Sequence, residues 1–249
     1  MKQILSIITT ILVSSLMVSS LFASEVLVYR NESMPWCGTV GGKDAGITID
    51  ILNAVTSNGG PKFKFKSVLW HRAQTFVQQN KGTCIIPFTR TATREKNHAW
   101  IIKLVPNQVR LTTAKNPIIK VSIPPRLTLD NAKPLTIGII RGSALIPHMK
   151  ASGFVKLYEV GTAERLAKML KAGHIQAMAE SKGVDNYVWN QIGEKDDELI
   201  VGPNVGEIKY IYLAAALNFP PEITENIRNA MSKVRESGAL EAILNKWLR

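Results

Sequence analysis

Residues 62–88, KFKFKSVLWHRAQTFVQQNKGTCIIPF, contain a complete strand–helix–strand unit. Lys62-Phe63-Lys64-Phe65-Lys66 alternates cation and ring with the period of a strand, lysines toward water and phenylalanines toward a core. Lysines on that wet face block strand-to-strand aggregation, so the strand is expected at a sheet edge. From His71 to Asn80, helical spacing puts Ala73, Phe76 and Val77 on one inward face. Cys84-Ile85-Ile86-Pro87-Phe88 is apolar throughout, as in a strand buried on both faces. Short connections between such elements predict a parallel sheet with crossover helices.

The pattern extends in both directions. Upstream, Glu25–Arg30 alternates as a strand, a loop spans Asn31–Trp36, and the Gly-rich stretch Gly38–Asp44 reads as a turn. Ile47, Ile51, Leu52 and Val55 then share a helical face that Asn58-Gly59-Gly60-Pro61 ends. Downstream, prolines punctuate residues 116–134, after which the alternation resumes. Leu135–Ile140 is a strand, Arg141-Gly142-Ser143 a turn before a short helix, and Ala163–Ala172 a helix capped by Thr162 and closed by Gly173. A short strand at Ile175–Ala179, a helix at Val184–Ile192 and a strand at Tyr210–Leu217 follow. Two amphipathic helices, Pro221–Arg235 and Ser237–Leu248, end the chain, the second burying Leu240, Ile243, Leu244 and Trp247. Two α/β lobes in one chain place a ligand cleft between them.

Composition agrees with a folded protein. Among 249 residues, 45% are hydrophobic and only 17 Gly, 12 Pro and 2 Cys occur, which excludes disordered, collagenous and disulfide-stapled chains. Lys2 begins the chain's N-terminal segment, and no further charge appears until Glu25; the apolar, Ser-rich run between them ends at the small residue Ala23. Residues 1–23 are therefore expected to be a cleaved export signal, which places the mature chain in the periplasm. Losing Lys2 with this segment leaves +11 of the formal +12 charge. Such a charge could attract nucleic acid, an anionic membrane surface or an anionic ligand; the scatter of the cations and the expected export argue against nucleic acid.

Cys37 and Cys84 are expected to be free thiols, although an oxidising compartment would permit a bridge and their spacing does not decide it. His71, His98, His148 and His174 lack metal-ligand spacing, and neither a nucleophile elbow nor a phosphate or dinucleotide loop occurs.

Five segments in order resemble the family 3 extracellular solute-binding proteins, the periplasmic components of polar amino-acid ABC transporters, in a divergent branch. They are Gly46-Ile47-Thr48-Ile49-Asp50-Ile51-Leu52, Trp70-His71-Arg72-Ala73, Thr89–Lys96, Gly138–Ser143, and Ser237–Leu240 with Lys246-Trp247-Leu248. The resemblance implies a two-lobed periplasmic-binding-protein fold of type II, each lobe a mainly parallel sheet flanked by helices, with two interlobe crossings. Residues 24–112 and 209–249 would form lobe one and residues 113–208 lobe two. It also implies a monomer that closes about a small anionic or zwitterionic ligand, docks on a membrane permease and needs no cofactor.

By the same resemblance, Arg94 is the carboxylate clamp, its planar guanidinium suited to both oxygens. Thr89 adds a donor, and Ser143 offers a helix N-terminus from lobe two. Trp70 lies over the ligand side chain, while Trp36 lines the same mouth or belongs to the core. Arg72 and Arg141, with Arg90, hint at more than one negative charge on the ligand. The family's ammonium-binding Asp is matched here by Ser181, which leaves Glu180 as the lobe-two acid and points toward an organic acid. Two alternatives share the scaffold: a dehydratase of the cyclohexadienyl type with Glu180 as general acid, and a sensory protein docking on a receptor.

Overall fold

A computed structural model describes residues 25–248; the expected export signal lies outside them. The chain opens with β1 (Glu25–Arg30), a hairpin of β2 (Gly38–Val40) and β3 (Lys43–Ala45), α1 (Ile47–Ser57), β4 (Lys62–Ser67), α2 (Trp70–Gln79) and β5 (Cys84–Thr89). A one-turn helix α3 (Ala92–Glu95) and the long strand β6 (Ala99–Ala114) follow. Next come α4 (Leu129–Ala132), β7 (Thr136–Ile140), α5 (Ile146–Ala151), β8 (Lys156–Val160), α6 (Ala163–Ala172), β9 (Ala177–Ser181) and α7 (Val184–Gln191). The second long strand β10 (Leu199–Ala215) precedes α8 (Pro221–Glu236) and α9 (Ala239–Leu248).

The strands form one eight-stranded sheet in the order β4-β1-β5-β10-β6-β9-β7-β8. Each end is parallel: β1 lies between β4 and β5, and β7 between β8 and β9. The lysine-rich β4 is the edge strand, with its lysines exposed and Phe63 and Phe65 packed against the core, as the alternation predicts. Between the ends, β6 and β10 run antiparallel to each other and to their outer neighbours, joining the two lobes.

The helices follow their sequence signals closely. Thr162 Oγ1 accepts from the Arg165 amide, and Gly173 closes α6 at φ +81°. In α1, Ile47, Ile51, Leu52 and Val55 are fully buried, each such side chain contributing about 1.5–3 kcal/mol. Asp50 on the same helix accepts from Lys246 Nζ and Trp247 Nε1, both at 2.8 Å, and so fastens the end of the chain to the first lobe. Both cysteines are buried free thiols. Burial pushes the Cys37 thiol up to about 12 and raises Cys84 as well.

The strands differ from the sequence reading in four places. Gly38–Asp44 is a hairpin, not a bare turn. β8 escapes periodicity because Tyr158, an exposed edge-strand ring, breaks the polar-outward pattern. β6 escapes because its buried side switches at the register shifts of its ladder with β10. β10 starts at Leu199, eleven residues before the expected Tyr210. Its stretch Gly202-Pro203-Asn204 has turn composition, and pairing with β6 holds it extended.

Candidate functional site

The two long strands pass from lobe to lobe near Pro106 and Tyr210, which are paired in register. Their ladder slips between Val205 and Lys209, and Gly206 at φ +69° supplies the conformation that the bulge requires. Asn107, Val109, Val205 and Gly206 from this crossing line a cavity of about 580 Å³ whose remaining walls come from both lobes. That volume suits a small organic solute.

Arg94 dominates the first-lobe wall. It sits in α3 immediately after β5, with 8% of its surface exposed. Nη1 donates to the Thr89 carbonyl at 3.0 Å, and Nη2 donates to Gln74 Oε1 at 2.9 Å and to the Gly142 carbonyl at 3.0 Å. The guanidinium lies 4.2 Å from the centre of the Phe88 ring, against which Trp70 also packs at 5.8 Å. No carboxylate pairs with Arg94 among the described residues. Burial alone lowers its pKa to about 10, so the side chain remains a cation in want of an anion.

The second-lobe wall carries Glu180 and Ser181 at the end of β9. Glu180 Oε1 accepts from the Ser181 amide at 2.7 Å. Arg110 is its cross-strand partner, but Arg110 Nε and Nη2 are taken by Asp185 and Asn186. Asp185, fully buried, also accepts from Thr112 Oγ1 and from the amides of Gly183 and Asn186. With no cation bridging it among the described residues, Glu180 is pushed up to about 7 by burial, with the nearby Asp185 adding to the shift and the Ser181 amide and hydroxyl opposing it.

Of the sequence candidates, Arg94, Thr89, Trp70, Trp36, Ser143 and Glu180 come together in the cavity lining. Trp36 is held there by α1: the Thr48 amide and hydroxyl both donate to its carbonyl, at 2.9 and 2.8 Å. Ser143 is present in a different role from the one expected. The helix after it starts only at Ile146, the Ser143 amide donates to Ile140 O, and its hydroxyl accepts from the Leu145 amide. Arg72 and Arg141 are exposed and outside the lining. Arg90 is exposed too, paired with Glu95 and stacked over Trp100, so these three cations do not gather around a ligand. Sequence reasoning missed Asn31, Asn107, His148 and Lys209. Asn107 and Lys209 sit on the crossing strands, whose course no local pattern reveals. Asn31 Oδ1, Asn107 Oδ1 and Trp36 Nε1 are buried lining atoms without a protein partner, as in a site built to meet a polar ligand. Among the described residues, no three His, Cys, Asp or Glu side chains gather as a metal site.

The sequence profile of the bacterial extracellular solute-binding proteins, family 3, matches residues 26–249. The chain belongs to this family. Solved structures agree on the fold. A histidine kinase sensor domain with similarity to periplasmic binding proteins superposes with a TM-score of 0.80 at 14% identity, over 90% of this chain and 96% of its own. An ancestral arginine-binding protein bound to arginine gives 0.76 at 20% identity, with coverage of 90% and 98%. The arginine-, lysine-, histidine-binding protein ArtJ from Geobacillus stearothermophilus gives 0.75 at 19%, with 90% and 95%. No curated protein sequence matches the chain. At these identities the likeness establishes the periplasmic-binding-protein fold of this family 3 chain and nothing about its ligand.

Proposed function

We propose that the protein is an exported, monomeric receptor that captures a small carboxylate-bearing solute, an amino acid or an organic acid, in the interlobe cavity and delivers it to an inner-membrane ABC permease. The observation that carries this reading is Arg94: a buried guanidinium in the cavity wall, fixed by three neutral acceptors and lacking a counter-ion. A carboxylate arriving there supplies the missing charge and makes charge-assisted hydrogen bonds of about 1.5–3 kcal/mol. Contacts from both lobes then favour the state in which the lobes meet. The family supports a binding role, and no helix among the described residues is long and apolar enough to cross a membrane. A thermal-shift screen against amino acids and small carboxylates tests it. A true ligand at roughly 100 times its Kd stabilises the protein by about 2.7 kcal/mol, and Arg94→Ala abolishes that shift. No stabilisation by any carboxylate, with protein shown by denaturation and mass analysis to be ligand-free, would sink the reading.

A second reading draws on Glu180. A carboxylic acid that holds its proton near neutral pH inside a cavity with a cation at another wall has the equipment of a dehydratase. Turnover of prephenate, lost in Glu180→Gln, would establish that activity; its absence leaves the receptor.

A further inference from the structure

Arg94 is short of a counter-ion but not of hydrogen-bond partners. Nη2 has two N–H bonds and two acceptors, Gln74 Oε1 at 2.9 Å and the Gly142 carbonyl at 3.0 Å, while Nη1 donates to the Thr89 carbonyl. A guanidinium takes both oxygens of a carboxylate along one of two edges, Nη1 with Nη2 or Nε with Nη2. Each edge includes Nη2. A carboxylate therefore pairs with Arg94 at two points only after one of these two acceptors has left.

The acceptors differ in what carries them. Gln74 stands on α2, in the same lobe as Arg94, whereas Gly142 belongs to the turn after β7, in the other lobe. Gln74 joins the two: its Oε1 accepts from Arg94 while its Nε2 donates to the Gly142 oxygen at 3.0 Å. The three groups form a closed triangle across the cleft. The turn sits tightly on α2, for Gly142 is at φ +77° and a Cβ there would lie 2.7 Å from Gln74 Nε2. Separating the lobes carries Gly142 away and leaves Gln74 beside Arg94. The N–H released is the one that two-point pairing needs.

We propose that Gln74 is a positioning residue that keeps the Gly142 carbonyl on Arg94, so that without a carboxylate the protein holds its own cleft shut and an incoming ligand competes with Gly142 for Nη2. This rests on the solute-receptor reading and adds the step that precedes capture. A carboxylate wins the competition because its charge makes the stronger bond to the guanidinium. Only molecules whose lobes are apart accept it at two points, so the latch slows association.

Small-angle X-ray scattering of protein freed of bound solute by unfolding and refolding tests the latch directly. Gln74→Ala and, from the other lobe, Gly142→Ala are each expected to enlarge the radius of gyration while still melting cooperatively. A wild type no more compact than either folded variant would overturn the proposal. Stopped-flow tryptophan fluorescence, with 2-amino and 2-hydroxy acids as probes, tests the competition. A probe that binds wild type is expected to associate at least about 10-fold faster with Gln74→Ala, a gain that lost packing alone would not produce. An unchanged or slower association rate in that variant would also overturn the proposal. If none of these probes binds, the receptor reading itself falls, while the scattering still decides whether the latch exists.

Discussion

The Arg94 guanidinium, from the first lobe, and the Gly142 carbonyl, from the second, are joined by a 3.0 Å hydrogen bond, and Gln74 Nε2 donates to the same oxygen at 3.0 Å. One side chain therefore carries the unpaired charge of the cavity and also ties the lobes together. Ligand charge and lobe position meet at a single group, so a ligand that holds Arg94 in place also acts on closure.

Arg94→Ala is expected to leave the ligand-free protein within about 1 kcal/mol of wild type in urea unfolding. It removes three hydrogen bonds and the Phe88 stack, but also a buried cation with no counter-ion, and the two effects oppose each other. Arg94→Lys keeps the charge and loses the planar fork, so its affinity for the ligand is expected to fall at least ~10-fold. A lysine variant with wild-type affinity would show that two-point pairing is not used.

Glu180 makes stability depend on pH in a definite direction. Folding raises its pKa from 4.5 to about 7, so the folded state favours the protonated form. The associated stability is fully present below 4.5 and is lost as the pH rises through about 7. At ~1.4 kcal/mol per pKa unit, the contribution is roughly 3 kcal/mol. Urea unfolding of wild type and Glu180→Gln across this range isolates it: the difference between them should change sharply in that window. Parallel profiles would mean that Glu180 titrates normally.

Asp185→Ala should be among the most damaging single changes, by about 3–5 kcal/mol, because it leaves Arg110 part-buried and unpaired. The double variant Asp185→Ala with Arg110→Met should recover much of that loss. A double variant as unstable as the single one would place the importance of Asp185 in its bonds to Gly183 and Asn186 instead.

Gly46 stands at φ +121°, and a Cβ there would lie 2.7 Å from the Trp36 carbonyl oxygen and 2.8 Å from Cys37 Cα. Gly46→Ala therefore combines a conformation unsuited to alanine with a backbone clash, and should cost at least ~2 kcal/mol. It should also alter Trp36 fluorescence and weaken ligand binding, because the displaced loop forms part of the cavity wall. Unchanged stability would show that the loop yields without strain.

Much of the architecture was legible because it is locally encoded. The helices α1, α2, α6, α7, α8 and α9 announce themselves by apolar spacing, caps and terminal glycines, and β1, β4 and β5 by alternation or continuous burial. Arg94, Thr89 and Glu180 were legible as candidates only through the family resemblance; Thr89 ends β5, Arg94 lies just after it and Glu180 is near the end of β9. The two interlobe crossings were implied by the resemblance, but the long strands β6 and β10 that make them were not legible. Residues 202–209 carry glycine, proline and exposed polar side chains, the composition of a loop, yet they run within the span of a 17-residue strand. Nor did the sequence disclose that Arg72 and Arg141 point their charge elsewhere than the cavity lining.

By itself, the sequence determined the α/β class, the parallel units at either end of the sheet and the lysine-bearing edge, since each depends on spacing between near neighbours, while the cleft candidates came from resemblance to a family. Only the tertiary structure decided which charges remain unpaired. Arg110 is neutralised by a residue 75 positions away, Arg94 is braced by Gly142 48 positions away, and Glu180 meets no cation among the described residues. Whether a charge is compensated depends on what the whole chain brings within a few ångströms of it, and that quantity has no local signature.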